Sequence, residues 1–338
     1  MDAVARVVVD VPLAHLDRPF DYSVPEAMRD QAVPGSRVRV RFAGRLVDAF
    51  VIERVESSEH RLQPLQRVTS SVPVLTPDVL ELCRAVADRY AGNLSDVIRA
   101  AVPPRHARAE ASVLATEPAA LELPHGDLDA RGWSAYTGGD ALLRRTGDGE
   151  RGMRAVWTCA PAGSVEPAGD WPRRLADLAL AGAHHGGVVI VVPDARDLAR
   201  VDAALSALLG SGRHAVLVSD VGPQRRYAEF LRVLTGRVRI VLGTRAAAFA
   251  PVADPALLLL WDDGDESLSE PHSPGWNARE VLALRSQLTG ASLVAGGFTR
   301  TCETQLWVET RWAAPIAPRR DLLRSLAPKV HADDSVAD

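Results

Sequence analysis

Gly187-Val-Val-Ile-Val-Val-Pro193 is a short, continuously apolar run rich in β-branched residues and bounded by Gly and Pro. Such a run predicts a strand buried on both faces. Similar runs recur at residues 214–218, 237–242, 256–261 and 292–295. Between them lie segments of helical period, such as Leu198, Val201, Leu205 and Leu208. Buried strands alternating with helices predict a parallel sheet covered on both faces, here over residues 154–312. Such sheets bind ligands at the carboxyl ends of their strands. Those ends carry Gly243-Thr244-Arg245 and Asp262-Asp263-Gly264-Asp265.

The 338 residues are enough for two or three domains, and the net charge of −4 gives no bulk attraction to polyanions. A polyanion site must therefore be a local patch. Lysine occurs once, at Lys329, so arginine supplies nearly all the positive charge. Cys83, Cys159 and Cys302 are widely spaced and form no CxxC pair, which supports neither a disulfide framework nor a zinc site. No signal peptide and no apolar run near ~18 residues is present, so the chain reads as cytosolic, with no membrane partner.

Upstream, residues 4–12, 36–42, 47–55 and 65–72 read as closely spaced strands, which predicts a small barrel-like β domain. In Ser36-Arg-Val-Arg-Val-Arg-Phe42 strict alternation puts Arg37, Arg39 and Arg41 on one face. Thr76-Pro77-Asp78 predicts a helix start with Thr76 as its cap, followed by helices at residues 79–90 and 94–101. The domain ends near residue 108. Residues 109–153 show weak periodicity, helical only at 139–145, and read as a linker or reduced domain. Residues 313–338, with three prolines and a polar end, read as an unstructured tail.

Several collinear motifs together resemble one family. Pro19-Phe-Asp-Tyr-Ser-Val-Pro25, Pro34-Gly-Ser-Arg-Val-Arg-Val-Arg-Phe42, Ala87-Asp-Arg-Tyr90, Ser95-Asp-Val97 and Val102-Pro103 resemble the N-terminal DNA-binding domain of the PriA family. These are primosomal replication-restart helicases, also called primosomal protein N-prime. Val192-Pro-Asp194, Gly243-Thr-Arg-Ala-Ala-Ala-Phe-Ala-Pro251 and Asn277-Ala-Arg-Glu-Val281 continue the resemblance in order and spacing, over about residues 4–310. It implies a multi-domain α/β chain. Residues 1–108 would be a 3′ DNA-binding domain, 109–153 a linker or reduced winged-helix region, and 154–312 one RecA-like helicase lobe. Implied partners are branched and single-stranded DNA, 3′ ends, primosome or replicative-helicase-loading proteins and single-strand-binding protein, in a nucleoid-associated cytoplasmic setting.

The departures from the family pattern bear on catalysis. The family's cofactors are ATP and Mg²⁺, and its zinc cluster and second lobe have no counterpart in these residues. The phosphate-loop position reads Trp157-Thr-Cys-Ala-Pro-Ala-Gly-Ser164, which keeps Gly163 and Ser164 and lacks the lysine. A phosphate loop needs successive backbone N–H donors and that lysine, and Pro161 removes one donor. The family's Asp-Glu-Glu-His box reads Asp262-Asp263-Gly264-Asp265, and its Gly-Ser-Ala-Thr-Pro-Ser motif reads Gly296-Gly-Phe-Thr-Arg-Thr301. Efficient hydrolysis is therefore not expected, and Asp262 and Asp263 read as relics.

Each candidate site has a plain structural alternative. Phe20, Asp21 and Tyr22, with Gly44 and Arg67, match a family pocket for a DNA 3′ end; otherwise Phe20 and Tyr22 are core residues of one strand face. No acid interrupts residues 31–47, so Arg37, Arg39 and Arg41 form a phosphate-tracking stripe or a solvated face. Gly243, Thr244 and Arg245 form a single-strand contact loop or an ordinary turn. The expected function is fork and 3′-end binding in replication restart. The alternatives are an active ATP-dependent 3′–5′ helicase and a doubly wound small-molecule enzyme, the latter without any Gly-x-Gly-x-x-Gly fingerprint.

Overall fold

The computed structural model describes residues 3–11, 13–117, 122–124, 128–161, 170–218 and 221–328. The chain is mixed α/β and built on two multi-stranded sheets. The first contains β1 (Val4–Val9), β2 (Phe20–Ser23), β3 (Ser36–Phe42), β4 (Arg45–Val55), β5 (Gln63–Pro64) and β6 (Arg67–Pro73). Their order is β5-β2-β1-β4-β3-β6. Alternation buries Val38 and Val40 against Ala5, Val7, Ala49 and Val51 and puts the intervening arginines on the opposite face. The β3–β4 hairpin closes on Ala43-Gly44, both at positive φ, as a two-residue primed turn requires. One continuous segment serves both margins of the sheet: Leu65 N donates to Ser23 O, and Gln66 N to Arg39 O.

Helices α1 (Pro77–Arg89) and α2 (Leu94–Ala101) follow, close to the expected spans. Thr76 stands at the N-cap but makes no side-chain capping bond, contrary to the sequence reading. For α2 the cap comes from far along the chain, with Leu94 N donating to Asp17 Oδ1 at 3.0 Å.

The second sheet has the strand order β10-β11-β9-β12-β13-β8-β14-β7. In chain order these are β7 (Tyr136–Thr137), β8 (Arg154–Thr158), β9 (Gly187–Val191), β10 (His214–Leu217), β11 (Ile240–Gly243), β12 (Pro255–Trp261), β13 (Ser292–Gly297) and β14 (Ala314–Pro318). All neighbouring pairs are parallel except β14–β7. One face packs α6 (Trp171–Ala183) and α7 (Ala195–Leu209), where Val201 and Leu205 are fully buried as their spacing predicts. The other face packs α8 (Pro223–Leu234) and α9 (Ala278–Thr289). That second core continues into α1, α2, Val8 and Phe50, so the first sheet is fused to the parallel sheet through shared apolar packing.

The structure bears on two expectations. Residues 109–153 are not a plain linker: α3 (Ala107–Ala115), α4 (Ala130–Ser134) and α5 (Gly139–Gly147) form there, and the expected boundary at 108 falls inside α3. Buried Arg174 on α6 anchors this region, pairing with Asp129 at 2.6 Å and Asp177 at 3.2 Å. The supposed tail adds β14 and α10 (Arg320–Leu326), and Ile316 is buried in register with Trp157. Pro315 and Pro318 are accommodated because a strand near a sheet margin tolerates missing donors. Residues 329–338 lie outside the described residues.

A single buried carboxylate ties three elements together. Glu110 on α3 accepts from Ser70 Oγ on β6 (2.9 Å), from Tyr227 Oη on α8 (2.9 Å) and from both ends of the Arg105 fork. Burial pushes its carboxyl up, but donation from Arg105, Tyr227 and Ser70 outweighs that and holds it below the usual carboxylate range. Glu110→Ala should lower unfolding stability by about 3–5 kcal/mol in urea titration, because it strands buried donors and a guanidinium. Since the folded pKa is depressed, the contribution is complete above the unfolded value near ~4.3 and is lost as pH falls through the folded value. The difference between wild type and Glu110→Ala should thus shrink only on acidification below about pH 4.

Arg285 on α9 is buried and donates to Ala248 O at 2.8 Å and Ala250 O at 2.7 Å, pinning the short 3-10 turn Arg245–Phe249. Arg285→Leu should cost about 2–5 kcal/mol in the same titration, two charge-assisted bonds lost with Ala248 O left unpaired, while Ala250 O keeps its bond from Val252 N.

Candidate nucleic-acid interface

Strand β2 and its neighbours form a cleft of about 640 Å³ lined by Phe20, Asp21, Tyr22, Arg41, Arg6 and Arg61, with Arg18, Phe42 and His60 also on its walls. Phe20 is half-buried and packs edge-on against Phe42, ring centroids 4.8 Å apart. Arg18 lies over the Phe20 ring at 4.9 Å. Asp21 pairs with Arg6 at 3.4 Å, and Arg6 in turn with Glu53 at 2.9 Å. Tyr22 differs from its neighbours: it is buried, and its hydroxyl donates to Arg41 O at 3.0 Å. It belongs to the wall that holds β2 against the β3–β4 hairpin. Burial raises its phenol pKa.

The arginine stripe does not form as a uniform solvated row. Arg37 turns into the body, donates to Pro103 O at 2.9 Å and stacks over Phe50 at 4.8 Å. Arg39 pairs with Asp48 at 3.1 Å and has Arg67 as its cross-strand neighbour on β6. Arg41 and Arg67 are exposed. Gly44 supplies the turn conformation at φ +80°, with open space around its Cα, and is one residue beyond the cleft wall at Ala43. The sequence reading missed Arg6, Arg18, His60 and Arg61. Arg18 lies at a bend just before β2, and His60 and Arg61 arrive from a connection with no pattern of its own.

At the carboxyl edge of the parallel sheet, Gly243 is required by packing. A Cβ there would stand 2.3 Å from Leu217 O and 2.6 Å from Ala247 Cβ. Thr244 opens the 3-10 turn and lines a small apolar hollow beside α8. Arg245 is committed to Glu270 at 3.0 Å and to Ser267 O.

The acidic box is also internally occupied. Asp263 is buried, accepts from Thr301 Oγ1 at 2.5 Å and lies 3.5 Å from Arg279. Asp265 accepts from Ser267 N. Asp262 adopts φ +52°, and burial and the nearby Asp265, Asp197, Asp263 and Asp194 raise its carboxyl pKa. Among the described residues no three His, Cys, Asp or Glu side chains are placed to hold a metal.

Gly163 and Ser164 lie outside the described residues. On either side of them the backbone is engaged. Cys159 N donates to Gly297 O, and Ala160 N donates to Tyr136 Oη at 3.1 Å. Burial pushes the Cys159 thiol up to about 12. At the start of α6, Asp170 accepts from Arg173 N and Pro172 follows. Trp171 stacks on Trp261, centroids 4.1 Å apart and planes within 4°. Trp133, Tyr136 and Trp157 extend this aromatic cluster beneath the end of β8.

Comparison with known proteins bears on this geometry. Residues 6–103 match the 3′DNA-binding domain (3'BD) family. The chain is 42% identical over 325 residues to the probable replication restart protein PriA of Mycobacterium leprae, covering 95% of this chain and 49% of that protein. The Mycobacterium tuberculosis H37Rv counterpart is also 42% identical, over 328 residues, 96% of this chain and 48% of its own length. The replication restart protein PriA of Treponema pallidum is 26% identical over 305 residues, 88% of this chain and 44% of that protein. The chain thus spans about half the length of these curated relatives. Aligning with them across nearly all of its own residues, and matching the 3′DNA-binding domain family at its N-terminus, the chain belongs to the PriA family of replication restart proteins.

Proposed function

We propose that this chain binds branched DNA and 3′ ends through its first sheet and serves replication restart as a clamp without effective ATP hydrolysis. The observation that carries the first half is the Phe20 cleft, which lies within the span matched by the 3′DNA-binding domain family. Its half-exposed ring offers a stacking face for a terminal base, and Asp21 offers an acceptor for the 3′-hydroxyl. Arg18, Arg41 and Arg61 on the same walls suit the adjoining phosphates. In this reading the first sheet, with segment 63–73 bonded to both margins, is a small barrel-like DNA-binding domain. The parallel sheet is a RecA-like lobe whose Gly243-Thr244 edge contacts a single strand. Replicative-helicase-loading proteins and single-strand-binding protein are the partner classes that fit this role.

The second half rests on the surroundings of the phosphate loop. A nucleotide needs free backbone donors, a cation and carboxylates for Mg²⁺ and water. Here Cys159 and Ala160 spend their N–H groups internally, and Asp170 puts a carboxylate at the first turn of α6. Pro172 removes a further donor, and Asp263 is turned to Thr301 and Arg279. These residues do not fit a Mg²⁺–ATP complex.

Binding is tested by fluorescence anisotropy with forked duplexes that differ only in a recessed 3′ end. The fork with the available end should bind more tightly, with affinity falling as salt rises. Phe20→Ala should cost about 1–3 kcal/mol and remove the preference for the end. Equal affinities of wild type and variant would return Phe20 to a packing role.

Hydrolysis is tested on the same preparation. Mg²⁺–ATP should leave the melting temperature unchanged, and phosphate release with fork DNA should stay at background. Turnover that Asp262→Asn abolishes would establish a working motor.

A further inference from the structure

A second cleft, of about 430 Å³, opens where α8 meets the first sheet. Arg37 and Phe50 line it from the sheet, Arg99 from α2 and Arg226 from the first turn of α8. Arg226 also lines the hollow beside Thr244, so one guanidinium borders both spaces. The acids facing the cleft are Asp10 and Asp48, and each is committed elsewhere, to Arg99 at 2.5 Å and to Arg39 at 3.1 Å. Among the described residues Arg37 bonds to the Pro103 carbonyl and stacks on the Phe50 ring. Arg226 has no side-chain hydrogen bond or ion pair among the described residues.

Both guanidiniums are thus partly withdrawn from water with no carboxylate in contact, an arrangement that costs free energy until an anion arrives. Desolvation lowers the pKa of each. A planar fork of N–H donors matches the geometry of a phosphodiester. The location specifies the anion further. One space reaches Thr244, at the carboxyl edge of the parallel sheet, the other reaches Arg37 on the first sheet, and Arg226 borders both.

We propose that Arg226, with Arg37 beside it, is a phosphate-backbone contact where single-stranded DNA passes from the parallel sheet to the first sheet. The assignment rests on the DNA-binding reading above. It differs from the Phe20 cleft in being indifferent to strand ends and to base sequence.

The test uses anisotropy with a single-stranded oligonucleotide and with forks carrying or lacking a recessed 3′ end, over a salt series. Arg226→Ala should weaken all three by about tenfold and lower the salt slope by about one. Arg225→Ala, its exposed neighbour facing another hollow, should bind as wild type, with urea unfolding showing both variants folded. Unchanged affinity and slope in Arg226→Ala, with wild type still preferring the 3′ end, would overturn this contact and leave the DNA-binding reading intact. A loss confined to the fork with the recessed end would also overturn it, because Arg226 would then act through the Phe20 cleft. Absence of DNA binding by wild type would overturn both.

Discussion

The architecture depends on how one buried carboxylate is satisfied. Glu110 collects hydrogen bonds from β6, from α8 and from Arg105, so it joins the first sheet to a helix of the second. Without those donors a carboxylate at this depth would be strongly disfavoured. With them it fixes the position of Tyr227, and therefore of the first turn of α8, relative to the β3–β6 face. The shared apolar core around α1, α2, Val8 and Phe50 then closes between the sheets. Apolar packing supplies the bulk of the contact, and the Glu110 network bonds β6 to α8 alongside it.

The same economy of internal partners runs along the carboxyl edge of the parallel sheet. Arg245 is held by Glu270, Asp263 by Thr301 and Arg279, and Ala160 by the Tyr136 hydroxyl. Arg285 fixes the 3-10 turn behind Thr244 through two backbone carbonyls. Each of these groups has its partner within the fold. Further arginines line the Phe20 cleft, and Arg226 borders the cleft beside α8.

Much of the fold was legible because the controlling signals are local. The β-branched run at 187–193 and its repeats gave the parallel sheet, and alternation in 36–42 gave β3. Illegible parts depend on contacts between distant residues. Nothing near α3 announces that Glu110 will be bonded by Ser70 and Tyr227. Ile316 joins a strand only because Trp157 stands beside it in register. Thr76 looked like a cap by residue type, yet the helix begins without its hydroxyl. At the candidate interface the sequence located Phe20 and Asp21, but the split of the arginine stripe required knowing that Pro103 and Phe50 lie against Arg37.

The parallel stack of Trp171 on Trp261 bears on how these two positions can change over time. Both indoles are buried and lie face to face, so a smaller side chain at either position would leave a void beside the other ring. The two rings are constrained as a pair, and sequence drift at one is tolerated only with a matching change at the other.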